Sequence, residues 1–340
     1  IHYPLRRQSQ MCIRDSNNLI GHTKKKKIIS RRGGYHGAGI FTGSLTGIET
    51  YLFNYDLRIK GILDTEPAFY FHRADLDQTE DEYSQFCADQ LEELILKENP
   101  DTVAGFIAEP VIGNGGLVPP PHDYWPRIKN VLEKYDVALI SDEVVTGFGR
   151  LGKMFGVDYF GIEADMITVA KGITSAYSPL SGSILSGKIS NLITDATDKY
   201  GVWTHGSTYS AHPISCAAGV ANLNHIDNHQ LIKKGKDISE YFNFKLKEKF
   251  QDHPQIGDVR GIGLLSAVEL VKDKKNRKFF EKQGQLSQEI VMKMAKNGVL
   301  ARAMPAGDTI GFAPAFCISN DEIDTILDVT LQSIDEVINN

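Results

Sequence analysis

The sequence predicts an α/β protein whose central sheet is mostly parallel, with helices on both faces. Short β-branched runs without alternation are typical of strands buried on both faces of such a sheet. Three such runs occur, and each leads into an ionisable residue: 102–108 before Glu109, 137–141 before Asp142, and 166–170 before Lys171. A helical pattern over 122–135 separates the first two runs, as right-handed strand–helix–strand crossovers require. Ligands bind outside the carboxyl ends of strands in open α/β sheets, so one rim receives all three side chains.

A second, smaller domain is expected at the C-terminal end, because 340 residues exceed a typical single core. A long helical stretch runs from about Pro213 to Phe250, and Asp252-His253-Pro254 breaks it. Beyond that break, strand and helix patterns alternate in a way that indicates a small α+β lobe. We therefore predict a large domain over 17–251 and a small domain over 252–340.

Composition narrows the function classes. The chain is 41% hydrophobic and 24% charged, with a net charge of -6, so nucleic acid is not an expected partner. No apolar run reaches the length of a membrane span. The four cysteines have neither metal-ligand nor disulfide-framework spacing, so we expect no metal site and a cytoplasmic protein.

Residues 1–16 have no clear helical or strand period. The hexapeptide Met11–Ser16 resembles the translation of a transposon adaptor used in sequencing libraries, and the alternative is a disordered basic tail. We therefore expect a non-native tail, which is excluded from the fold prediction, with natural sequence from about Asn17 onward.

A lysine and a carboxylate at neighbouring strand ends could together bind a cofactor that has a carbonyl group and a pyridine ring. Lys171 could form a Schiff base with a carbonyl, and burial would lower the pKa of such an amine. Asp142 could keep a pyridine nitrogen protonated, which makes the ring an electron sink. Each residue also has a structural alternative, with Asp142 as a helix cap and Lys171 in a solvated turn.

Tyr35 and His36 lie in a loop with four glycines in seven residues, 33–39. Such a loop can approach a ligand closely, and its aromatic side chain could stack on a flat ring. The alternative is a plain glycine turn with a packed tyrosine. A second glycine loop, over 113–116, has the same close-approach character.

Three segments resemble the class III pyridoxal-phosphate aminotransferases, which have fold type I. They match in order, spacing and residues, and they are AEPVIGNGGLVPP at 108–120, LISDEVVTGFGR at 139–150 and ADMITVAKG at 164–172. Further matches are YHG at 35–37, HGSTYSAHP at 205–213 and RGIG at 260–263. The resemblance begins at about residue 17 and implies pyridoxal 5′-phosphate as cofactor, transamination as activity, and a homodimer, or a tetramer, with shared active sites.

The resemblance also implies roles for single residues around the cofactor ring. Lys171 corresponds to the Schiff-base lysine and the general base of the 1,3-proton shift, and Asp142 to the partner of the pyridine nitrogen. Val144 and Tyr35 correspond to residues on the two ring faces, with His36 beside Tyr35.

Three more residues belong to the implied cofactor site. Glu109 corresponds to a carboxylate that helps to position the region of the ring hydroxyl. Thr208 corresponds to a threonine that reaches the phosphate of the partner subunit's cofactor. Ser207 and Thr208 both offer hydroxyl donors suited to a phosphate.

The substrate is suggested by VLARAMPAGD at 299–308 and IGFAP at 310–314, which resemble the ω-amino acid:pyruvate branch. In that branch an arginine at the position of Arg302 binds the substrate carboxylate, and a planar guanidinium suits bidentate binding. The alternative for Arg302 is a strand-end salt bridge. The family usually has two prolines where this chain has Pro314-Ala315, a mild departure.

The expected reaction moves an amino group from an ω-amino acid or amine to pyruvate or another 2-oxo acid. Alternatives are a 7-oxononanoate-type transaminase of biotin synthesis, a mutase or decarboxylase on the same scaffold, and a non-catalytic fragment. Class III enzymes also carry a Gly-Ser loop at a helix N-terminus that binds the cofactor phosphate, upstream of the lysine run 24–27. This chain has no segment that matches that loop, so we expect it to bind the cofactor poorly or to fold poorly.

Overall fold

The computed structural model describes residues 4–53, 55–200, 206, 208–305 and 307–339, with the backbone alone over 4–11 and 196–200. Its helices are α1 (Pro4–Leu19), α2 (Ile40–Leu45), α3 (Glu80–Lys97), α4 (Tyr124–Lys134), α5 (Gly156–Phe160), α6 (Gly187–Tyr200), α7 (Pro213–Asn228), α8 (Leu231–Phe250), α9 (Gln285–Lys296) and α10 (Asn320–Ile338). Within these described ranges, no helix combines the length and apolar character that crossing a membrane requires.

A sheet of six strands, counted over the described residues, forms the centre of the fold. The strands are β1 (Lys27–Arg31), β2 (Ile62–Thr65), β3 (Val103–Ala108), β4 (Ala138–Asp142), β5 (Met166–Val169) and β6 (Gly182–Leu185). Their order in space is β2-β1-β3-β4-β5-β6. The pairs are parallel up to β5, and β6 is antiparallel to β5. The predicted mostly parallel sheet is therefore confirmed. The three strands that precede Glu109, Asp142 and Lys171 are neighbours in it.

Both faces of this sheet are covered, as the unbroken apolar runs predicted. Successive residues of one strand point to opposite faces. Phe106 of β3 packs in one core with residues of α3 and α4, whereas Ile107 packs in a second core with residues of α1. The two-sided burial explains why these strands show no polar alternation.

The N-terminal segment forms a helix that packs on the central sheet. Residues 4–16 belong to α1, and Cys12 and Ile13 of this helix are buried against β1, β3 and β4. The absence of a period therefore did not mean absence of structure, because the sheet face provides the apolar partner that selects the helix. Whether residues 1–16 are natural sequence stays a prediction.

Helices α3 and α10 begin at capping boxes. Thr79 accepts a hydrogen bond from the backbone N–H of Glu82 at 3.3 Å, and the Glu82 carboxylate accepts one from the Thr79 N–H at 2.8 Å. Ser319 and Glu322 repeat the arrangement at the start of α10. Each such cap stabilises a helix by about 1 kcal/mol. Helix α10 therefore begins directly after its capping residue, at Asn320.

The C-terminal part contains a second, antiparallel sheet. Its strands are β7 (Ile256–Ile262), β8 (Leu265–Leu270), β9 (Arg302–Ala303) and β10 (Thr309–Phe312), in the order β7-β8-β10-β9. Helices α8, α9 and α10 share one hydrophobic core with this sheet. Phe242 and Leu246 of α8 lie in that core, so this helix contributes its buried face to the C-terminal lobe. The domain boundary at 251/252 stays a prediction.

Candidate active site

The rim of the central sheet brings together the three ionisable residues that follow its strands. Ala108 of β3 pairs with Ser141 of β4, which places Glu109 beside Asp142. Asp142 in turn pairs with Thr168 of β5, and Lys171 follows three residues later. Strand register alone therefore explains why residues separated by up to 62 positions meet at one edge.

Asp142 lies at the floor of this rim, and its side chain is held from two directions. It is 1% exposed. Its Oδ2 lies 2.8 Å from Nδ1 of the buried His36, and its Oδ1 accepts a hydrogen bond of 3.2 Å from the backbone N–H of Val144. These contacts leave the carboxylate little freedom to rotate. The contact with His36 also joins the glycine loop at 33–39 to the strand end.

Glu109 is also buried, and its partners are backbone N–H groups. Oε1 accepts from the N–H of Tyr35 at 2.9 Å, and Oε2 accepts from the N–H of Gly113 at 2.8 Å. Burial raises the pKa of Glu109; the nearby His36 lowers it by less, and Asp142 raises it further. The carboxylate therefore connects the two glycine loops while its negative charge remains costly.

The two glycine loops make the close approach that their composition predicted. A Cβ placed on Gly115 would lie 2.1 Å from the carbonyl oxygen of Gly33. No side chain fits in that gap, so glycine is required for the loops to meet. Their contact places Tyr35, which follows Gly33 by two residues, on the wall of the cavity above the rim.

Lys171 stands in a short 3₁₀ turn, Lys171–Ile173, directly after β5. Its backbone has φ of +42°, in the left-handed region that non-glycine residues rarely adopt. The side chain is exposed and lines the cavity. The burial considered for this amine is therefore not supplied by the single chain.

A cavity of 1130 Å³ opens above the rim. Tyr35, Val144 and Lys171 line it on the side of the central sheet, and Arg302 lines it on the side of the C-terminal lobe. Arg302 is exposed on the short strand β9, which pairs with β10. The structure therefore brings the predicted lysine and the predicted carboxylate-binding arginine to one cavity.

Of the two predicted phosphate residues, the structure describes only Thr208. Thr208 is exposed and is not among the residues that line the cavity. Ser207 lies outside the described residues. The role of Thr208 toward a second subunit, and that of the Ser207 hydroxyl toward a phosphate, stay predictions.

Three cavity residues were missed at the level of sequence. Tyr51 makes an edge-to-face contact with Tyr35, with ring centroids 5.6 Å apart, but it lies in a segment with few signals. Arg150 donates from Nη1 to the carbonyl oxygen of Pro314 at 2.6 Å, and burial lowers its pKa. Its position at the end of a glycine-rich loop was a usable signal. Asn222 had no signal, because its partners lie about 50 residues away.

These residues fit the ring of pyridoxal phosphate. An aromatic side chain, an aliphatic side chain and a primary amine line one cavity, and a firmly held carboxylate ends the strand beside them. Pockets for cofactors and drug-sized ligands have volumes of roughly 300–1,000 Å³, so this cavity has room for a ring and a substrate together. The chemistry of the donor set thus agrees with a lysine-bound pyridine cofactor.

The fold and this site are those of a pyridoxal-phosphate enzyme, and comparison with known proteins identifies the family. The family model for aminotransferase class-III matches residues 9–334, so the chain belongs to that family. Class III aminotransferases have the fold type I architecture and depend on pyridoxal 5′-phosphate.

Particular relatives show how similar the chain is to known members. It is 46% identical over 327 residues to diaminobutyrate–2-oxoglutarate transaminase of Halomonas elongata, covering 96% of this chain and 70% of the relative. It is 39% identical over 311 residues to gamma aminobutyrate transaminase 1, mitochondrial, of Solanum lycopersicum, covering 92% of this chain and 60% of the relative. The omega transaminase from Pseudomonas jessenii in complex with PMP superposes with a TM-score of 0.94 at 33% identity, over 98% of this chain and 73% of that one.

Proposed function

We propose that this protein transfers an amino group from an ω-amino acid or amine to pyruvate or another 2-oxo acid, using pyridoxal phosphate. The observation that supports this most directly is the shared cavity, which both Lys171 and Arg302 line. Lys171 offers an amine for chemistry, and Arg302 offers a cation for a substrate carboxylate.

The cofactor, when bound, supplies a protonated pyridine ring that accepts the electron pair released at the substrate carbon. Asp142 would hold the proton on the ring nitrogen, because its carboxylate is buried and kept in place by His36 and the Val144 N–H. Tyr35 and Val144 would hold the ring between them. Glu109, which binds both glycine loops, would keep Tyr35 at the ring.

Lys171 would act as the base that moves the proton during transamination. Its Nζ would accept the proton from the substrate carbon and donate it to the former aldehyde carbon of the cofactor. This role requires a neutral amine. Exposure of Lys171 in the single chain implies that cofactor, substrate or a second subunit would provide the desolvation that lowers its pKa.

Arg302 would select the substrate. Diaminobutyrate and gamma-aminobutyrate, named for two relatives, both carry an amine remote from a carboxylate. A donor of this shape could place its amine at Lys171 and its carboxylate at the Arg302 guanidinium, which binds carboxylates bidentately.

A donor screen with pyruvate and 2-oxoglutarate as acceptors tests the proposal. Turnover of ω-amino acids is expected, and Arg302→Ala should raise KM for these donors by about 10–100-fold while sparing a simple aryl amine. Equal loss for both donor types would remove Arg302 from substrate recognition. Activity confined to a 7-oxononanoate-type substrate, or absence of any turnover, would contradict the proposed reaction.

We also propose a homodimer and a cytoplasmic location. Helix α7 leaves apolar side chains uncovered, with Ile214 72% and Val220 59% exposed. An uncovered apolar face of this kind suits a second copy. All four cysteines are free, in keeping with a reducing compartment. Sedimentation at micromolar concentration should give twice the chain mass, and Val220→Glu should shift it to the monomer; a monomeric wild type would contradict the dimer.

A further inference from the structure

The turn that carries Lys171 is held by more than its own strand. Residue 171 adopts the left-handed φ of +42°, which an L-residue keeps only when its surroundings enforce it. The next two peptide carbonyls, of Gly172 and Ile173, point toward α7. The geometry of the reactive lysine therefore depends on what those carbonyls meet.

They meet the side chain of Asn222. Its Nδ2 donates to the carbonyl oxygen of Gly172 at 2.8 Å and to that of Ile173 at 3.1 Å. An NH₂ group has two hydrogens, so one amide can serve both carbonyls at once. Asn222 lines the same cavity as Lys171, so this contact lies at the candidate active site and not at a remote surface.

The turn also lies close to Phe148. A Cβ added to Gly172 would lie 3.1 Å from Cβ and from Cδ2 of Phe148, which is tighter than ordinary van der Waals contact. Phe148 therefore leaves little room for a side chain at position 172, and the Asn222 amide binds the carbonyls of the same turn.

We infer that Asn222 is a positioning residue for Lys171: its amide clamps the turn and thereby aims the lysine at the cofactor carbonyl. This inference rests on the proposed function. It assigns Asn222 no contact with substrate or cofactor. Its effect should appear wherever Lys171 must form a covalent bond, and nowhere else.

Two forms of the cofactor separate these effects. Pyridoxal phosphate has an aldehyde that bonds to a lysine amine, whereas pyridoxamine phosphate has an amine in its place and cannot. Asn222→Ala should raise Kd for pyridoxal phosphate by about tenfold and leave Kd for pyridoxamine phosphate within about twofold. Asn222→Asp keeps the side-chain size but offers no N–H, so it should reproduce the same split. Asn224→Ala, an exposed asparagine on the same helix, is the matched control and should change neither value.

Equal weakening of both ligands, or no weakening of either, would overturn the inference. Variants that fail to fold would also overturn it, because Asn222 would then support helix packing rather than the lysine. Borohydride reduction of the wild type with pyridoxal phosphate, followed by peptide mass analysis, should label Lys171. Absence of that label would refute the proposed function itself, whereas a labelled wild type with an unchanged Asn222→Ala variant refutes only the positioning role.

Discussion

Two buried carboxylates in this molecule have opposite electrostatic surroundings. Glu109 at the rim of the central sheet is 3% exposed, and Glu269 on β8 of the C-terminal lobe is 0% exposed. Glu109 is bound by two backbone N–H groups and stands beside Asp142, and its pKa is raised. Burial alone would raise the pKa of Glu269 too, but the hydrogen bond with His72 and the charge of Arg260 outweigh it, and the pKa is lowered.

Arg260 connects Glu269 in the C-terminal lobe to the glycine loop over 113–116, and we call this set of contacts the clasp. Arg260 donates from Nη1 to Glu269 at 2.8 Å and to Asp258 at 2.6 Å. Its Nε and Nη2 donate to the carbonyl oxygen of Gly116, in the glycine loop beside the rim, at 3.0 and 2.8 Å. Negative charge in the lobe is thus matched by a cation, which is the condition under which a buried ion pair is tolerated.

The difference lies in the type of partner. At the rim, Glu109 is held by backbone N–H groups and Asp142 by the His36 ring and the Val144 N–H, whereas a guanidinium holds Glu269. A buried carboxyl group with a raised pKa, such as Glu109, is typical of functional sites. The four predictions below test this distinction.

Loss of Lys171 should have the largest effect, and on activity alone. Lys171→Ala removes the proposed base and should lower turnover by at least about 10²–10⁴-fold. Its unfolding transition should stay near that of wild type, because the side chain is exposed. A coupled assay of transamination and a thermal melt measure both. Lys153→Ala, another exposed lysine, serves as control, and undiminished turnover in Lys171→Ala would disprove the assignment.

Breaking the clasp should have the largest effect on stability. Arg260→Met leaves Glu269 buried without its cation and should lower the free energy of unfolding by about 3–5 kcal/mol. Denaturant titration gives the value. Lys245→Met, which removes a partly exposed surface pair with Glu248, should change it little. A small effect of Arg260→Met would mean that the clasp does not hold the lobe to the rim.

The pH dependence of Glu269 should follow from its lowered pKa. A carboxyl with a depressed folded pKa stabilises the fold above its unfolded pKa of about 4.3, and this stability is lost as pH falls through the folded value. Glu269→Gln should cost about 1.5–3 kcal/mol at neutral pH, and the gap to wild type should narrow in acid. Parallel denaturation curves from pH 3 to 8 measure it; a gap independent of pH would contradict the charge pairing.

Glu109 should show the opposite slope, with the smallest amplitude. Its raised pKa means that the fold disfavours the ionised form, so wild type loses stability as pH rises from about 4.3 through the folded pKa. The free energy of unfolding of wild type should therefore fall relative to that of Glu109→Gln as pH increases. The same denaturation series applies. If the stability difference changed with pH in the same direction for Glu109→Gln and Glu269→Gln, the two carboxylates would not have opposite surroundings.

Much of the rim could be predicted from the sequence because its strands are local features. The apolar runs before Glu109, Asp142 and Lys171 all became neighbouring parallel strands. The weaker parts failed for identifiable reasons. Strand β2 has too few apolar residues to stand out from its loop, and α1 owes its helix to the sheet face on which it packs.

The sequence could predict neither the contact of Arg260 with Glu269 nor that of Asn222 with the Lys171 turn. Arg260 lies in the RGIG match at 260–263, which assigns it no role, and no sequence pattern pairs it with Glu269. His72 meets Glu269 across 197 positions, and Asn222 meets Gly172 across 50. Pairings at such separations are set by loop closure and packing of whole elements, and neither has a local signature.

The sequence by itself determined the strand type, the order of the chemical residues and the family that they resemble, because apolar periodicity and motif spacing act over short range. Only the tertiary structure decided which partner each charge received. It placed backbone N–H groups around Glu109, a cation beside Glu269, and an amide beneath the Lys171 turn. The physical reason is that the free energy of a buried charge depends on its three-dimensional neighbours, and the chain must close on itself before those neighbours exist.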